Sequence, residues 1–279
     1  MKETKPTFLS ETKLLLRLRG RGAKDFVQGQ TTIDIYKKDI ISSFIYGCWL
    51  DLLGRVCAIL EIKVLDDCIE LVVIGGDLNE VINGFKKVIF PADNVELEAP
   101  EEIQRFQYMP LVSNERFSDV FWLKKDGLIP DKFKKIFSSS EEEWQIWRIK
   151  KGLPIGALEI NGNFNPYEIG LGDLVDLKKG CYFGQEVIAK LNKSNEVRYK
   201  IRYLEGKYYP DFIREDVKYN IACENNTNAG VVTSIVSDKK NSKIHSLALI
   251  KSSLIDCKEL LINKKIFQVH VPESFTSFL

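Results

Sequence analysis

From Lys13 to Arg19 the chain alternates around Leu14, Leu16 and Leu18, the period-two pattern of a strand with one buried face. Gly20 and Gly22 end it. Ala23 to Gln30 reads as a short helix, and the β-branched residues of Thr31 to Asp34 favour an extended exit. Three strands are then predicted, Ile41 to Leu50, Arg55 to Leu65 and Cys68 to Ile74, separated by turns at Asp51 to Gly54 and at Asp66-Asp67. Leu78, Val81, Ile82, Phe85, Val88 and Ile89 share one face of a helix, with Asp77 placed to cap it and Glu80 at the capping-box position. With a further strand at Val95 to Glu98, these elements make a small α+β unit.

Ser140 followed by Glu141 to Glu143 marks a second helix start, and Gly152 and Pro154 mark its end. Trp144, Trp147 and Lys151 share a face of that helix, where the tryptophans read as core anchors. Beyond it four strands are predicted, Tyr199 to Leu204, Gly230 to Val236, Ile244 to Ile250 and Ile266 to Val271, with exposed loops at Asn225 to Asn228 and Asp238 to Ser242. They read as a separate small barrel, and no internal repeat is visible.

Composition narrows the class. With 279 residues, 44% of them hydrophobic, the chain can bury two or three cores. A net charge of +1 provides no basic field for nucleic acid or anionic membrane. No apolar run reaches membrane-span length and the polar start has no signal-peptide core, so a cytoplasmic protein is expected, or a mitochondrial-matrix one in a eukaryote. The six cysteines are scattered without a C-x-x-C pair, and His245 and His270 lie near the end, so neither a disulfide framework nor a metal site is readable.

The chemistry concentrates at Lys179 to Glu186. Gly180 and Gly184 bracket Cys181 on a turn just before an apolar-periodic segment, Val187 to Leu191. Amide groups at a helix start and the Lys179 ammonium would both favour a thiolate there, making Cys181 the candidate functional thiol. A half-buried cysteine serving as a small hydrophobe is the alternative, and the commoner fate of a single Cys.

This octapeptide, Lys179-Gly180-Cys181-Tyr182-Phe183-Gly184-Gln185-Glu186, matches all seven fixed positions of the signature of the YgfZ-type proteins. Those are tetrahydrofolate-binding relatives of the glycine cleavage T-protein that assist iron–sulfur cluster assembly. The resemblance extends through Lys24 to Asp34, Trp147 to Pro154, Asn165 to Glu168, Gly230 to Ser234 and Ser246 to Leu249, nearly the whole chain. Two positions depart from the pattern: Leu53 stands where a lysine is usual before Gly54-Arg55, and Lys190 where arginine is common.

The resemblance implies an α+β, three-domain T-protein-like fold: a discontinuous folate-binding domain (1–40 and 105–198), a ferredoxin-like insert (41–104) and a C-terminal β-barrel (199–279). A folate site needs a carboxylate or amide for the pterin edge, aromatic or aliphatic walls and cations for the glutamate tail. By resemblance Glu168 and Arg148 fall in that pocket, together with Gln30, Asp34, Tyr182, Gln185 and Glu186, while Cys181 and Lys179 form the reactive centre. The implied cofactor is tetrahydrofolate or a one-carbon derivative, and the implied partners are the iron–sulfur assembly machinery or its clients, with the protein itself a monomer. One alternative is a T-protein-like aminomethyltransferase; aligned on the strand ending at Ile74, its catalytic aspartate would fall near Val81, with Asp77 and Asp34 as substitutes. Another is a folate-binding accessory module for tRNA-modifying or radical enzymes.

Overall fold

The fold is drawn from a computed structural model, which describes residues 7–37, 44–110, 115–117, 119–124, 127–134, 136–194, 196–210, 212–213, 219–224 and 227–278, with side chains at 132, 133 and 276–278 set aside. Ile41 at the head of the second predicted strand, the 40/41 boundary, and Asn225 and Asn226 of the predicted barrel loop lie outside these residues.

In chain order the first half runs β1 (Thr7–Arg19), α1 (Ala23–Gln30), β2 (Phe44–Leu50), β3 (Val56–Val64), β4 (Cys68–Gly76), α2 (Leu78–Val88), β5 (Glu96–Leu97), β6 (Glu101–Met109) and β7 (Val120–Leu123). It continues through α3 (Asp131–Lys134), β8 (Phe137–Ser138), α4 (Glu141–Lys151) and α5 (Gln185–Ser194). The second half holds β9 (Tyr199–Lys207), β10 (Asn220–Ala222), β11 (Asn228–Asp238), β12 (Lys243–Lys251), β13 (Glu259–Ile262) and β14 (Lys265–His270).

Strands β1 to β8 form one sheet ordered β2-β3-β4-β1-β6-β7, with β5 and β8 also on β1. The expected insert is therefore hydrogen-bonded directly to the strands around it: β4 pairs with β1 from Leu15↔Val72 to Arg19↔Cys68, and a boundary at 104/105 would cut β6. Strand β1 begins at Thr7, six residues before the alternation at Lys13 suggests, because Thr7 to Leu15 pair with β6 from Met109 back to Glu101.

The sheet is buried on both faces, and the alternation assigns each side chain to one of them. Leu16, Leu18, Leu60, Leu71 and Val73 face α1 and α2 and pack on Phe26, Val81 and Phe85. Leu15, Ile59, Val72 and Ile74 face the other way, into a core completed by Ile169, Leu171, Tyr182 and Ile188 and by Ile201, Leu247 and Leu249 of the barrel. Both helix starts have the expected chemistry: the Asp77 carboxylate accepts from the Asn79 and Glu80 amides, and Ser140 and Glu143 form a capping box, with Gly152 closing α4 in the left-handed conformation.

The C-terminal barrel is closed and six-stranded, ordered β10-β11-β12-β9-β14-β13, two strands more than the sequence suggests. β10 is only three residues long, and β13 joins β14 through Asn263-Lys264, both at positive φ, a hairpin turn lacking its usual glycine. α4 lies against β11 and β12 and so carries the barrel against the sheet domain.

Candidate functional site

The octapeptide lies on the carboxyl end of α1. There the last carbonyls of a helix lack intrahelical partners and carry the negative end of its dipole. Lys179 Nζ donates to the carbonyl oxygens of Gln28 (2.6 Å), Thr31 (2.6 Å) and Ile33 (2.7 Å), and the Tyr182 ring lies 5.2 Å from the ammonium. An ammonium has three protons, and all are committed. Lys179 is thus a clamp holding the loop to α1; it has no proton left for Cys181, contrary to the expectation of an ammonium serving the thiol. Burial pushes its pKa down to about 8, opposed by the charges of Asp34 and Asp176.

A second constraint is steric. Gly184 has φ +76°, and a Cβ there would come 2.6 Å from the Asp51 carbonyl oxygen and 2.9 Å from the Gly54 Cα. Gly54, at φ +71°, answers from the other side, where a Cβ would meet the Ile188 side chain at 3.0 Å and that of Val187 at 3.3 Å. Leu53, the departure beside Gly54, is solvent-exposed. Helix α5 begins at Gln185, its first bond running from the Ile188 amide to the Gly184 carbonyl. Cys181 therefore sits four residues ahead of Gln185 rather than on the helix's first turn.

Of the six cysteines, Cys181 is the exposed one. Burial pushes the Cys48 thiol up to about 12 and that of Cys57 up to about 11, and raises those of Cys68 and Cys223. Cys181 opens into a cleft of about 420 Å³ beside Leu52, Phe183, Gln185 and Glu186. The neighbouring Tyr182 points inward, its hydroxyl buried without a hydrogen-bond partner among the described residues and its pKa raised by burial.

The remaining expected site residues divide between several places. Gln30 lines a second cleft next to the first. The Asp34 carboxylate accepts from the Gln28 side chain (3.0 Å) and the Tyr36 amide. Gln185 reaches the Lys179 carbonyl at 3.5 Å, and Glu186 pairs with Lys190 on the exposed face of α5, so the lysine at that departure still makes an ion contact. Glu168 is buried, its carboxylate accepting from the Asn165 amide (3.1 Å) and its carbonyl from the Ile201 amide (2.9 Å). Beside it a cleft of about 260 Å³ is lined by Tyr167, Phe275, Lys200 and Arg202. Arg148 does not reach this cleft.

No family model matches the chain. Over 246 residues it is 27% identical to the tRNA-modifying protein YgfZ of Buchnera aphidicola subsp. Baizongia pistaciae, covering 75% of this chain and 76% of that one. A stretch of 80 residues is 31% identical to the mitochondrial iron–sulfur cluster assembly factor IBA57 homologue of Dictyostelium discoideum, 28% of this chain and 20% of that one. The crystal structure of the glycine cleavage system aminomethyltransferase T of Bartonella henselae superposes with a TM-score of 0.74 at 14% identity, over 98% of this chain and 86% of that one, which establishes the shared fold. The chain is similar to YgfZ over three-quarters of its length and shares the fold of the glycine cleavage T-protein.

Arg148 belongs to a buried network that the sequence reading missed. Its guanidinium donates to Ser234 Oγ (2.9 Å) on β11, Ser234 donates to Glu159 Oε1 (2.6 Å), and Arg148 Nη1 stands 3.9 Å from Glu159 Oε2. Among the described residues Glu159 Oε2 has no hydrogen-bond partner, and burial lowers the Arg148 pKa against the pull of Glu159. This network joins α4 to the barrel. The available signal was a single acid in the short segment between Pro154 and Ile160, eleven residues from Arg148, which marks a buried charge only once the fold is known.

Proposed function

We propose that this protein binds a reduced folate and uses the Cys181 thiol in the assembly or repair of iron–sulfur clusters, working in the cytoplasm or the mitochondrial matrix. The observation that carries the reading is the exposure of Cys181 on a loop fixed from below by Lys179 and Gly184. A free cysteine that serves packing is usually buried, whereas this thiol is the most exposed of the six, with Cys57, Cys223 and Cys257 partly covered and Cys48 and Cys68 buried. The relatives named for tRNA modification and for iron–sulfur cluster assembly support the same setting.

Clusters are commonly held by four thiolates, so Cys181 supplies at most one ligand of a transferred cluster and the rest belong to a partner. For folate, the cleft beside Tyr167 has part of the required chemistry: Tyr167 and Phe275 as aromatic walls and Lys200 and Arg202 as cations, while the expected carboxylate, Glu168, is buried next to Tyr167 without lining the cleft. At about 260 Å³ it lies below the roughly 300–1,000 Å³ of pockets that enclose a drug-sized ligand, so it would hold one end of a folate. Bound there, the folate would supply a one-carbon carrier; this chain's residues bind and orient it.

The aminomethyltransferase reading has less support. Val81 is wholly buried on α2 and cannot move a proton, and Asp77 is engaged as the helix cap. The deciding experiment is genetic: in cells lacking the family member, wild type should restore iron–sulfur enzyme activities and Cys181→Ala should not. Full rescue by a well-expressed Cys181→Ala protein would leave the folate-binding accessory module as the reading.

A further inference from the structure

The cleft holding Cys181 does not end at the thiol. Gly29 and Phe183 line both it and the neighbouring cleft of about 590 Å³, which runs past α1 to Phe90. The combined track is apolar along its floor and rim: Leu52 is 71% exposed, Phe90 60% and Phe183 37%. Isolated exposed apolar side chains are ordinary, but three along one concave track leading to the reactive group are not. Among the described residues, the ionisable groups lining the two clefts, Cys181 and Tyr182 apart, are Asp25, Asp93 and Glu186, with no lysine or arginine among them. Glu186 is neutralised by Lys190. Asp25 and Asp93 instead accept from neutral donors, the Tyr36 hydroxyl and the Phe90 amide, and among the described residues neither has a cation within ion-pair distance. In a chain of net charge +1, the track is thus a local acidic and apolar strip.

We propose that this track docks an extended segment of a partner protein carrying aliphatic or aromatic anchors interleaved with lysine or arginine, and so delivers that segment's own thiol or cluster ligand to Cys181. The proposal rests on the function argued above and names the partner's chemistry. The anchors cover Leu52, Phe90 and Phe183. The long aliphatic stems of the basic residues lie across the aromatic rings while their heads reach Asp25 and Asp93.

The test uses the full chain and short peptides containing one cysteine activated as its 2-pyridyl disulfide. Cys181 sulfur attacks the peptide sulfur, the peptide–protein disulfide forms, the pyridyl S–S bond breaks, and pyridine-2-thiolate leaves with the electron pair and takes up the proton as the thione. A leucine-and-lysine peptide should react about tenfold faster than its glutamate counterpart, with the gap closing in high salt. Asp25→Asn should cut that ratio severalfold. Leu52→Ser with Phe90→Ser should remove the advantage of leucine over serine peptides while leaving the rate with a small uncharged disulfide unchanged; all three positions are surface ones whose folding is checked by melting temperature. Equal rates for lysine and glutamate peptides, or no effect of the paired serine substitutions, would overturn the proposal. Protection of Cys181 by a short RNA, but not by an unactivated leucine-and-lysine peptide, would also overturn it and assign the track to nucleic acid. Because these rates need no cellular activity, they can fail while Cys181 proves essential in cells, and the reverse.

Discussion

Lys179 Nζ and the Thr31 carbonyl oxygen meet at 2.6 Å across 148 positions of sequence, with the Tyr182 ring alongside. Removing the ammonium strands carbonyls at the end of α1, so Lys179→Met should lower stability by about 2–3 kcal/mol. Arginine should restore only part of this, because a planar fork does not match three converging carbonyls. The pH dependence has a definite sign. The folded pKa, about 8, lies below the unfolded lysine value of about 10.4, so the unfolded chain binds more protons between the two. Wild type should therefore gain stability relative to Lys179→Met as pH rises from about 8 towards 10, read by denaturant titration at each pH; a loss across that window would contradict the burial of the ammonium.

The two glycines around Cys181 should respond oppositely. A Cβ at Gly180 meets nothing within 4 Å, so Gly180→Ala should change stability by less than about 1 kcal/mol. At Gly184, positive φ and the Asp51 carbonyl both oppose a side chain, and alanine should cost about 2–4 kcal/mol and disturb the thiol's setting. Melting curves and Cys181 alkylation rates for the two variants check this.

Cys181 should be alkylated first among the six cysteines at neutral pH, as peptide mapping after brief iodoacetamide treatment would read, and Cys48 last. Cys181→Ala should keep the fold, costing about 1 kcal/mol or less at an exposed position. Labelling spread evenly over several cysteines would remove the warrant for a distinct role.

Tetrahydrofolate should raise the melting temperature, a ligand at 100 Kd contributing about 2.7 kcal/mol to the native state. Glu168→Ala and Lys200→Ala should each weaken that shift, while Gln30→Ala, whose side chain lies at another cleft, should not. No shift in wild type at saturating ligand would sink the folate reading.

Glu159→Ala should destabilise by about 3–5 kcal/mol, because it leaves the buried Arg148 uncompensated. Adding Arg148→Met should recover much of the loss, a coupling that a double-mutant cycle measures.

What the sequence could reveal follows from which forces are local. α1, α2, α4 and α5 were legible because caps, glycines and apolar faces lie within a few residues of one another. β6 was not: its inward face carries Arg105 and Gln107, and Arg105 is buried only because Glu61 on β3 pairs with it at 2.6 Å and Glu11 on β1 at 2.9 Å. A buried ion pair between distant strands erases the alternation that marks a strand. At the site, the octapeptide showed which residues to examine but misled about Lys179, since the carbonyls it meets come from a helix far away in the chain. Arg148 and Glu168 sat on matched motif segments, yet the fold gives them different neighbours.

Strand β1 is the hub of the sheet, paired with β4, β5, β6 and β8. Every one of those partners is synthesised after it, the last ending at Ser138. During translation its apolar residues wait as an open edge: Leu18 meets Ile69 of β4 after 51 further residues and Leu97 of β5 after 79, while Thr7 and Phe8 wait for β8 at Phe137 and Ser138. The barrel waits less: Tyr203 of β9 meets Leu247 of β12 after 44 residues and Leu204 meets Val269 of β14 after 65. Newly made sheet, rather than newly made barrel, is thus the part of this protein that stays open longest at the ribosome.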